Sequence, residues 1–347
     1  MLKLLIRATN WVGDAVMALP ALHAVRTRYP KAHISVLALP QIVQIYEGQG
    51  VADELIAYDR KSRHAGIRGR EKLAAELKSR KFDIALLLQN AFDAAWIAWR
   101  AGIPERIGYN RDGRGLLLTK AVAVAKAGEI PAHEKYYYLE LLRRVGWIET
   151  LPEIPEITLR VAAKDAQRAE EKLRAAGAAT GTTRVAVGAG ASYGSAKCWP
   201  PERFAQALNR LQRERNTEVI LFGTPGETAV SSAIQAGLAK PALDLTGKTE
   251  IAELLALLSC CHLFLGNDSG AMHVAAAVGL QVVAVFGPTD PFGTAPVTPR
   301  AAIVQEKPYC SPCFLRRCPT DHRCMTAISP EKIGESLLRV LAEVSSA

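Results

Sequence analysis

Short apolar runs alternate with helix-period segments along almost the whole chain, and this alternation restricts the fold more than any other feature. Runs at 2–7, 33–39, 83–89, 184–189, 218–223, 262–267 and 281–287 consist mostly of apolar residues. Strands buried on both faces read this way, because neither side of the pleat meets water. Between them the spacing predicts helices over 15–28, 71–79, 92–101, 133–145, 164–176, 201–215, 226–238, 249–259, 270–278 and 330–343. Such alternation gives α/β domains with parallel sheets and helices on both faces. The pattern restarts after a proline-bearing stretch, ETLPEIPEITLR at 149–160, and 347 residues exceed one ordinary core. Two doubly wound, Rossmann-like domains are therefore expected, 1–155 and 156–329, with a last helical segment at 330–347. Ligands in open α/β sheets bind at the carboxyl ends of the strands, so a cleft between the two halves is the expected site.

Charge narrows the class of partner. The formal net charge of +9 favours an anion: nucleic acid, a membrane surface or a phosphorylated substrate. Aromatic residues make up only 6% and form no basic-aromatic platform, which speaks against single-stranded nucleic acid. The longest apolar candidate for a membrane span, 263–286, is interrupted by Asn267, Asp268, Ser269, His273 and Gln281. The N-terminal apolar stretch is too short for a signal peptide and soon meets Asp14, so a cytoplasmic chain is expected. Seven cysteines, an odd number, do not read as a disulfide framework in such a chain.

Several loops carry chemistry. GAGASYGSAKCWPPERF at 188–204 follows a strand, but its glycine spacing does not fit a dinucleotide loop. GASYG within it formally matches G-x-S-x-G, yet a nucleophile elbow needs a helix directly after Ser192, and Pro200–Pro201 delays the helix to about 201. What remains is a Gly/Ser-rich loop with one cation, Lys197, suited to a diphosphate, or else a surface lysine on a loop. LGNDSGAMHVAAAVG at 265–279 reads as strand, turn and small-residue helix, which offers free N–H groups and a helix dipole to an anion. Asp268 either caps that helix, binds a sugar hydroxyl or orients Lys197; His273 lies one turn in and either faces the site or packs. Glu227, in LFGTPGETA at 221–229, is placed to meet a ribose hydroxyl, or serves ordinary turn chemistry. Basic residues crowd the first half, among them Arg60, Arg63, Arg111 and Arg114. Individually such charges are usually solvated; together they mark this half as the one that meets a polyanion. CSPCFLRRCPTDHRC carries Cys310, Cys313, Cys318 and Cys324, a spacing compatible with a structural metal or with reduced cysteines packing a long loop.

RATNWVGDAVMALPALHAVRTRYPKAHISVLA, AKCWPPERF, LTGKTEIAELLALL, GNDSGAMHVAAAVG and the late cysteine cluster together resemble the ADP-heptose:lipopolysaccharide heptosyltransferases, glycosyltransferase family 9, in the form closest to the heptosyltransferase II branch. The resemblance runs from the first strand to about Ile333. It implies a GT-B fold, with two Rossmann-like domains facing a central cleft. It implies that the final helix crosses back to the first domain. It further implies an inverting transfer of L-glycero-D-manno-heptose from ADP-heptose to the lipid A-anchored inner core of lipopolysaccharide. The enzyme would be cytoplasmic, in peripheral contact with the inner face of the inner membrane, with no nucleic-acid partner. On that reading Asp14 and Lys197 are the catalytic candidates: Asp14 takes the proton of the acceptor hydroxyl unless it only caps its helix. Ser192, Lys197, Glu227, Asp268, Ser269, Gly270, Ala271, Met272 and His273 would meet the donor. Asn10, Arg60, Arg63, Arg111 and Arg114 would meet the acceptor. No cofactor is required for catalysis, and a structural zinc is possible at the four cysteines. The rivals are another GT-B nucleotide-sugar enzyme or an epimerase and, from a different class, a cysteine-cluster nucleic-acid-binding protein.

Overall fold

The computed structural model describes residues 1–345. Contacts divide the chain into two compact units, Met1–Ile154 and a second from Pro155 onward. In the first, strands β1 (Lys3–Arg7), β2 (His33–Ala38), β3 (Glu54–Ala57), β4 (Ile84–Leu87), β5 (Glu105–Tyr109) and β6 (Lys120–Val122) form one sheet in the order β3-β2-β1-β4-β5-β6. Every pairing is parallel; Ile6 of β1 stands between Val36 of β2 and Leu86 of β4. In the second, β7 (Thr183–Gly188), β8 (Thr217–Phe222), β9 (Leu243–Asp244), β10 (Leu263–Asn267), β11 (Gln281–Phe286) and β12 (Ala301–Gln305) repeat the arrangement as β12-β11-β10-β7-β8-β9. In each sheet the order reverses direction once, between β1 and β4 and between β7 and β10. Loops leaving such neighbours diverge, which opens a crevice at their carboxyl ends.

The strands that their apolar runs announced, β1, β2, β4, β7, β8, β10 and β11, occupy the middles of the sheets. Those not anticipated, β3, β5, β6, β9 and β12, lie toward the edges; β3, β5, β6 and β9 are short or carry charge, as in Glu105–Arg106 and Lys120, whereas β12 is apolar but only partly buried. Outer strands are half exposed, so their sequences need not be apolar.

The helix expected over 15–28 is two helices, Val12–Met17 and Leu19–Arg28, meeting at Ala18. Pro20 is the cause: it has no N–H to continue a helix, and it sits comfortably in the first turn of a new one. The first helix therefore starts earlier, with Trp11 as its extended N-cap. Asp14 stands in its first turn, which corrects the capping alternative. A carboxylate there still gains from the helix dipole.

The last helix begins at Pro330. Its apolar stripe, Ile333, Leu337, Val340 and Leu341, is buried with Trp199, Phe204, Leu208 and Leu211 in the core of the second unit. That stripe packs the last helix within the second unit. Among the described residues no helix is long and apolar enough to cross a membrane.

Candidate active site

At the reversal of the second sheet, Asn267 closes β10 and is fully buried. Its side chain accepts from the Trp199 N–H at 3.0 Å and donates to the Ala189 carbonyl at 2.5 Å. One amide thus ties both ends of the loop that carries Lys197 to the neighbouring strand. Lys197 in turn reaches Asp268, Nζ to Oδ2 at 2.5 Å, and the Thr289 hydroxyl donates to the same oxygen at 2.6 Å. Asp268 is only 4% exposed, so this ion pair is not a loose surface contact. An ammonium has three N–H donors, and the pair with Asp268 uses one. The Tyr193 ring lies 4.8 Å from Nζ, a cation–π distance.

Ser269 follows as the extended N-cap of helix Gly270–Ala277, but its side chain makes no capping bond. Its Oγ is buried without a hydrogen-bond partner. A buried hydroxyl left unpaired costs about 1–3 kcal/mol, so its presence beside Lys197 and a helix N-terminus marks a place for an acceptor-rich group. First-turn N–H groups of that helix have no intrahelical partner, and the dipole puts positive potential there. The assembly suits an anion.

Other donor candidates are placed differently. Gly270 and Ala271 line the same first turn and are half buried. Met272 is fully buried, so its side chain belongs to the core, and His273 is buried as well. Ser192 is exposed on the turn before Lys197. Glu227 accepts from the Thr224 N–H at 2.6 Å in a capping box. Gly190 lies hard against it: a Cβ there would come within 1.7 Å of Glu227 Oε1. That close approach accounts for the glycine that superficially suggested a nucleotide loop.

The cysteine-bearing segment braces this loop. The Ala196 N–H donates to the Arg316 carbonyl at 3.1 Å, His322 Nε2 lies 2.7 Å from the Ala196 carbonyl, and Tyr193 Oη donates to Phe314 O at 2.6 Å. Cys310, Cys313, Cys318 and Cys324 are all free thiols. Burial and then the neighbouring thiols of Cys313, Cys310 and Cys318 push Cys324 up to about 11. Among the described residues, no three Cys, His, Asp or Glu side chains are gathered into a metal-holding group. The zinc expectation therefore rests on spacing alone.

At the reversal of the first sheet the chemistry is different. Asp14, half buried, acts electrostatically on three groups: Tyr46, Tyr138 and Glu134. Burial, then the charge of Asp14, pushes the Glu134 carboxyl up to about 7, against a smaller opposing pull from Arg111. Sequence reasoning missed Glu134: nothing in AHEKYYYLE marks it out, and only helix packing brings it to Asp14.

The basic candidates divide. Arg60 and Arg111 are exposed on loops, and Arg63 is exposed but paired with Glu76 at 2.7 Å. Arg114 is fully buried. Its guanidinium donates to the carbonyls of Tyr109, at 2.9 Å, and Gln89, and to Asn90 Oδ1 at 2.8 Å, and burial lowers it to about 10. Arg114 is thus corrected from an acceptor contact to a tie between the loops after β4 and β5. Asn10 Oδ1 accepts from buried Arg7 at 2.8 Å, which fixes the loop leading to Asp14.

The family model described as glycosyltransferase family 9 (heptosyltransferase) matches residues 70–323. The chain belongs to this glycosyltransferase family. A family 9 relative, lipopolysaccharide heptosyltransferase 2 of Salmonella typhimurium, is 27% identical, with 99% of each chain covered. The solved structure of E. coli ADP-heptose LPS heptosyltransferase II is 26% identical, covers 99% of this chain and 100% of that one, and superposes with a TM-score of 0.83. A family 9 glycosyltransferase from Veillonella parvula, 23% identical over 98% of this chain and 97% of that one, shares the fold with a TM-score of 0.84. The two parallel sheets are those of a GT-B glycosyltransferase, and this family 9 member is an enzyme of that class.

Proposed function

We propose that this enzyme transfers L-glycero-D-manno-heptose from ADP-heptose to a heptose of the lipopolysaccharide inner core, inverting the anomeric centre. The observation that carries the reading is the group of Lys197, the unpaired Ser269 hydroxyl and the N-terminus of Gly270–Ala277 at the second unit's reversal point. Near full-length likeness to heptosyltransferase 2 supports the choice of sugar.

In this mechanism the second unit holds the ADP portion, with Glu227 near the ribose and the diphosphate at Lys197 and Ser269. The first unit holds the acceptor, whose anionic core meets exposed Arg60, Arg63 and Arg111. Asp14 removes the proton of the acceptor hydroxyl as that oxygen attacks the anomeric carbon. The bond from that carbon to the diphosphate oxygen breaks on the opposite face, and ADP leaves with the electron pair. Lys197 and the helix N–H groups neutralise the charge that grows there. Donors already oriented toward developing charge lower the barrier without reorganising. A single displacement needs one base and no enzyme nucleophile, consistent with carboxyls, not a triad, at the first site. The acceptor's lipid anchor places the work at the cytoplasmic face of the inner membrane, with peripheral contact.

The deciding experiment measures ADP release from ADP-heptose with and without a heptose-bearing core acceptor. Acceptor-dependent release with ADP-heptose is expected. Release that ignores the acceptor, or stabilisation by UDP-sugars but not by ADP-heptose, would overturn the assignment.

A further inference from the structure

We propose that the Tyr137 hydroxyl binds an oxyanion of the acceptor, aimed outward by Asn90 and with Arg111 beside it as the countercharge. The proposal rests on the reading of the first unit as the one that holds the acceptor. A chain of hydrogen bonds aims the hydroxyl, and its direction is fixed at the buried end.

Arg114 is fully buried, and a guanidinium has donors only. Its Nη2 lies 2.8 Å from the Asn90 side chain, so the atom it meets must be the amide oxygen. The amide nitrogen is thereby turned toward Tyr137, whose Oη lies 2.7 Å away. An amide nitrogen donates, so the phenol oxygen must accept. Arg111, likewise a donor only, hydrogen-bonds the same phenol side chain. Both lone pairs of Oη are then used, and the phenol still has one O–H to give. Among the described residues no acceptor for that proton stands within reach.

Packing holds the ring in this place. Tyr137, on helix Glu134–Arg144, lies against the Tyr109 ring at a centroid distance of 4.4 Å and meets Tyr138 edge-on at 5.6 Å. The Tyr109 hydroxyl donates to the Tyr137 carbonyl at 2.8 Å, which ties this helix to the end of β5. Tyr137 is nevertheless half exposed, and Asn90 and Arg111 belong to the loops that leave β4 and β5. The hydroxyl therefore sits at the carboxyl-end rim of the first sheet, where ligands of open α/β sheets bind. An O–H left to donate, next to an exposed guanidinium, suits a carboxylate or phosphate oxygen. Glu134 is a carboxyl that Arg111 acts on. It holds its proton to about 7 and so competes only weakly for the guanidinium up to neutrality.

The test measures acceptor KM and kcat of the full-length enzyme at saturating ADP-heptose. Tyr137→Phe keeps the ring packing and should raise acceptor KM about tenfold or more. Its kcat should stay within about threefold and its ADP-heptose affinity within about twofold. Asn90 acts through Tyr137 as a positioning residue, and Asn90→Asp is the sharper probe. An aspartate accepts from Arg114 and Tyr137 alike, so the phenol proton turns inward and KM should rise although the hydroxyl remains. Asn90→Asp together with Tyr137→Phe should be no worse than Tyr137→Phe alone. An additive rise would mean that the new charge merely repels the acceptor, and would overturn the aiming role of Asn90. Two further acceptors identify the oxyanion: a core acceptor stripped of phosphate, and one with its carboxyls converted to amides. Tyr137→Phe should match the parent on one of them. An equal handicap on both would overturn the proposal, as would a parental KM in Tyr137→Phe. If Tyr137→Phe fails to fold, a parental acceptor KM in Asn90→Asp overturns it instead. A parent whose ADP release ignores the acceptor would sink the functional reading and this proposal with it. An acceptor-dependent parent beside a parental Tyr137→Phe would sink the role of the hydroxyl alone.

Discussion

At the reversal of the second sheet, Lys197 is held 2.5 Å from a buried Asp268, beside an unpaired Ser269 hydroxyl and a helix N-terminus. At the corresponding place in the first sheet, the charge of Asp14 helps to hold the proton on Glu134, with Arg111 as the opposing charge. The strand order is the same in both units. The two crevices nevertheless offer opposite chemistry, one gathering positive potential and the other gathering proton acceptors. The scaffold provides a place, and a few loop residues decide what that place can do. Division of labour in the proposed transfer follows: leaving-group charge is met by the second site, and the nucleophile's proton by the first.

The strongest way to break that division is Asp14→Asn. Asn keeps the size but cannot accept a proton at neutral pH. Turnover should fall by about 10²–10⁴-fold, with ADP-heptose affinity unchanged by calorimetry. A loss of donor affinity instead would mean that the first site is not separate from donor binding.

Lys197→Ala addresses the other side. A hydrogen bond to a charged group contributes about 1.5–3 kcal/mol, so ADP affinity should drop about tenfold or more. Removing one partner of a buried pair also leaves Asp268 uncompensated, and the melting temperature should fall with it. Unchanged ADP affinity would remove Lys197 from the donor site.

A smaller effect concerns pH and stability. Glu134 holds its proton to about 7 in the folded chain against an ordinary value of 4.5. Between those values the folded state binds more protons than the unfolded state. The contribution is fully present below about pH 4.5 and is lost as pH rises through about 7. Urea unfolding of Glu134→Gln should lack that decline relative to the parent, whereas parallel curves would show that Glu134 does not titrate there.

The smallest effect sharpens the picture of the second site. Thr289→Val deletes the hydroxyl that shares Asp268 Oδ2 with Lys197. Loss of one such bond should lower stability by about 1–2 kcal/mol and alter ADP affinity much less than Lys197→Ala. An equal effect on affinity would make Thr289 a partner in donor binding and not a support for Asp268.

The sequence by itself determined the class of fold and most of the second site. Central strands such as β1 and β10 are apolar because both faces are buried, so their composition alone reveals them. Strand, Asn-Asp-Ser-Gly and helix follow one another within a single short segment, so an anion site there is local information. Lys197 and Asp268 could each be picked out before their 2.5 Å contact was known. Edge strands such as β3 and β6 escaped because half-exposed backbone tolerates polar residues.

Tertiary structure decided what depends on distant residues meeting. Arg114 has the composition of a surface cation, and only the loops that close over it make it a buried tie. Met272 sits among the residues of the anion loop, yet helical rotation turns its side chain into the core. Glu134 lies 120 positions from Asp14 in sequence. Nothing local signals that Asp14 acts on Glu134, because that influence arises where one helix packs against another. Charge, burial and proton affinity at a site are sums over neighbours, and the chain order does not say who those neighbours are.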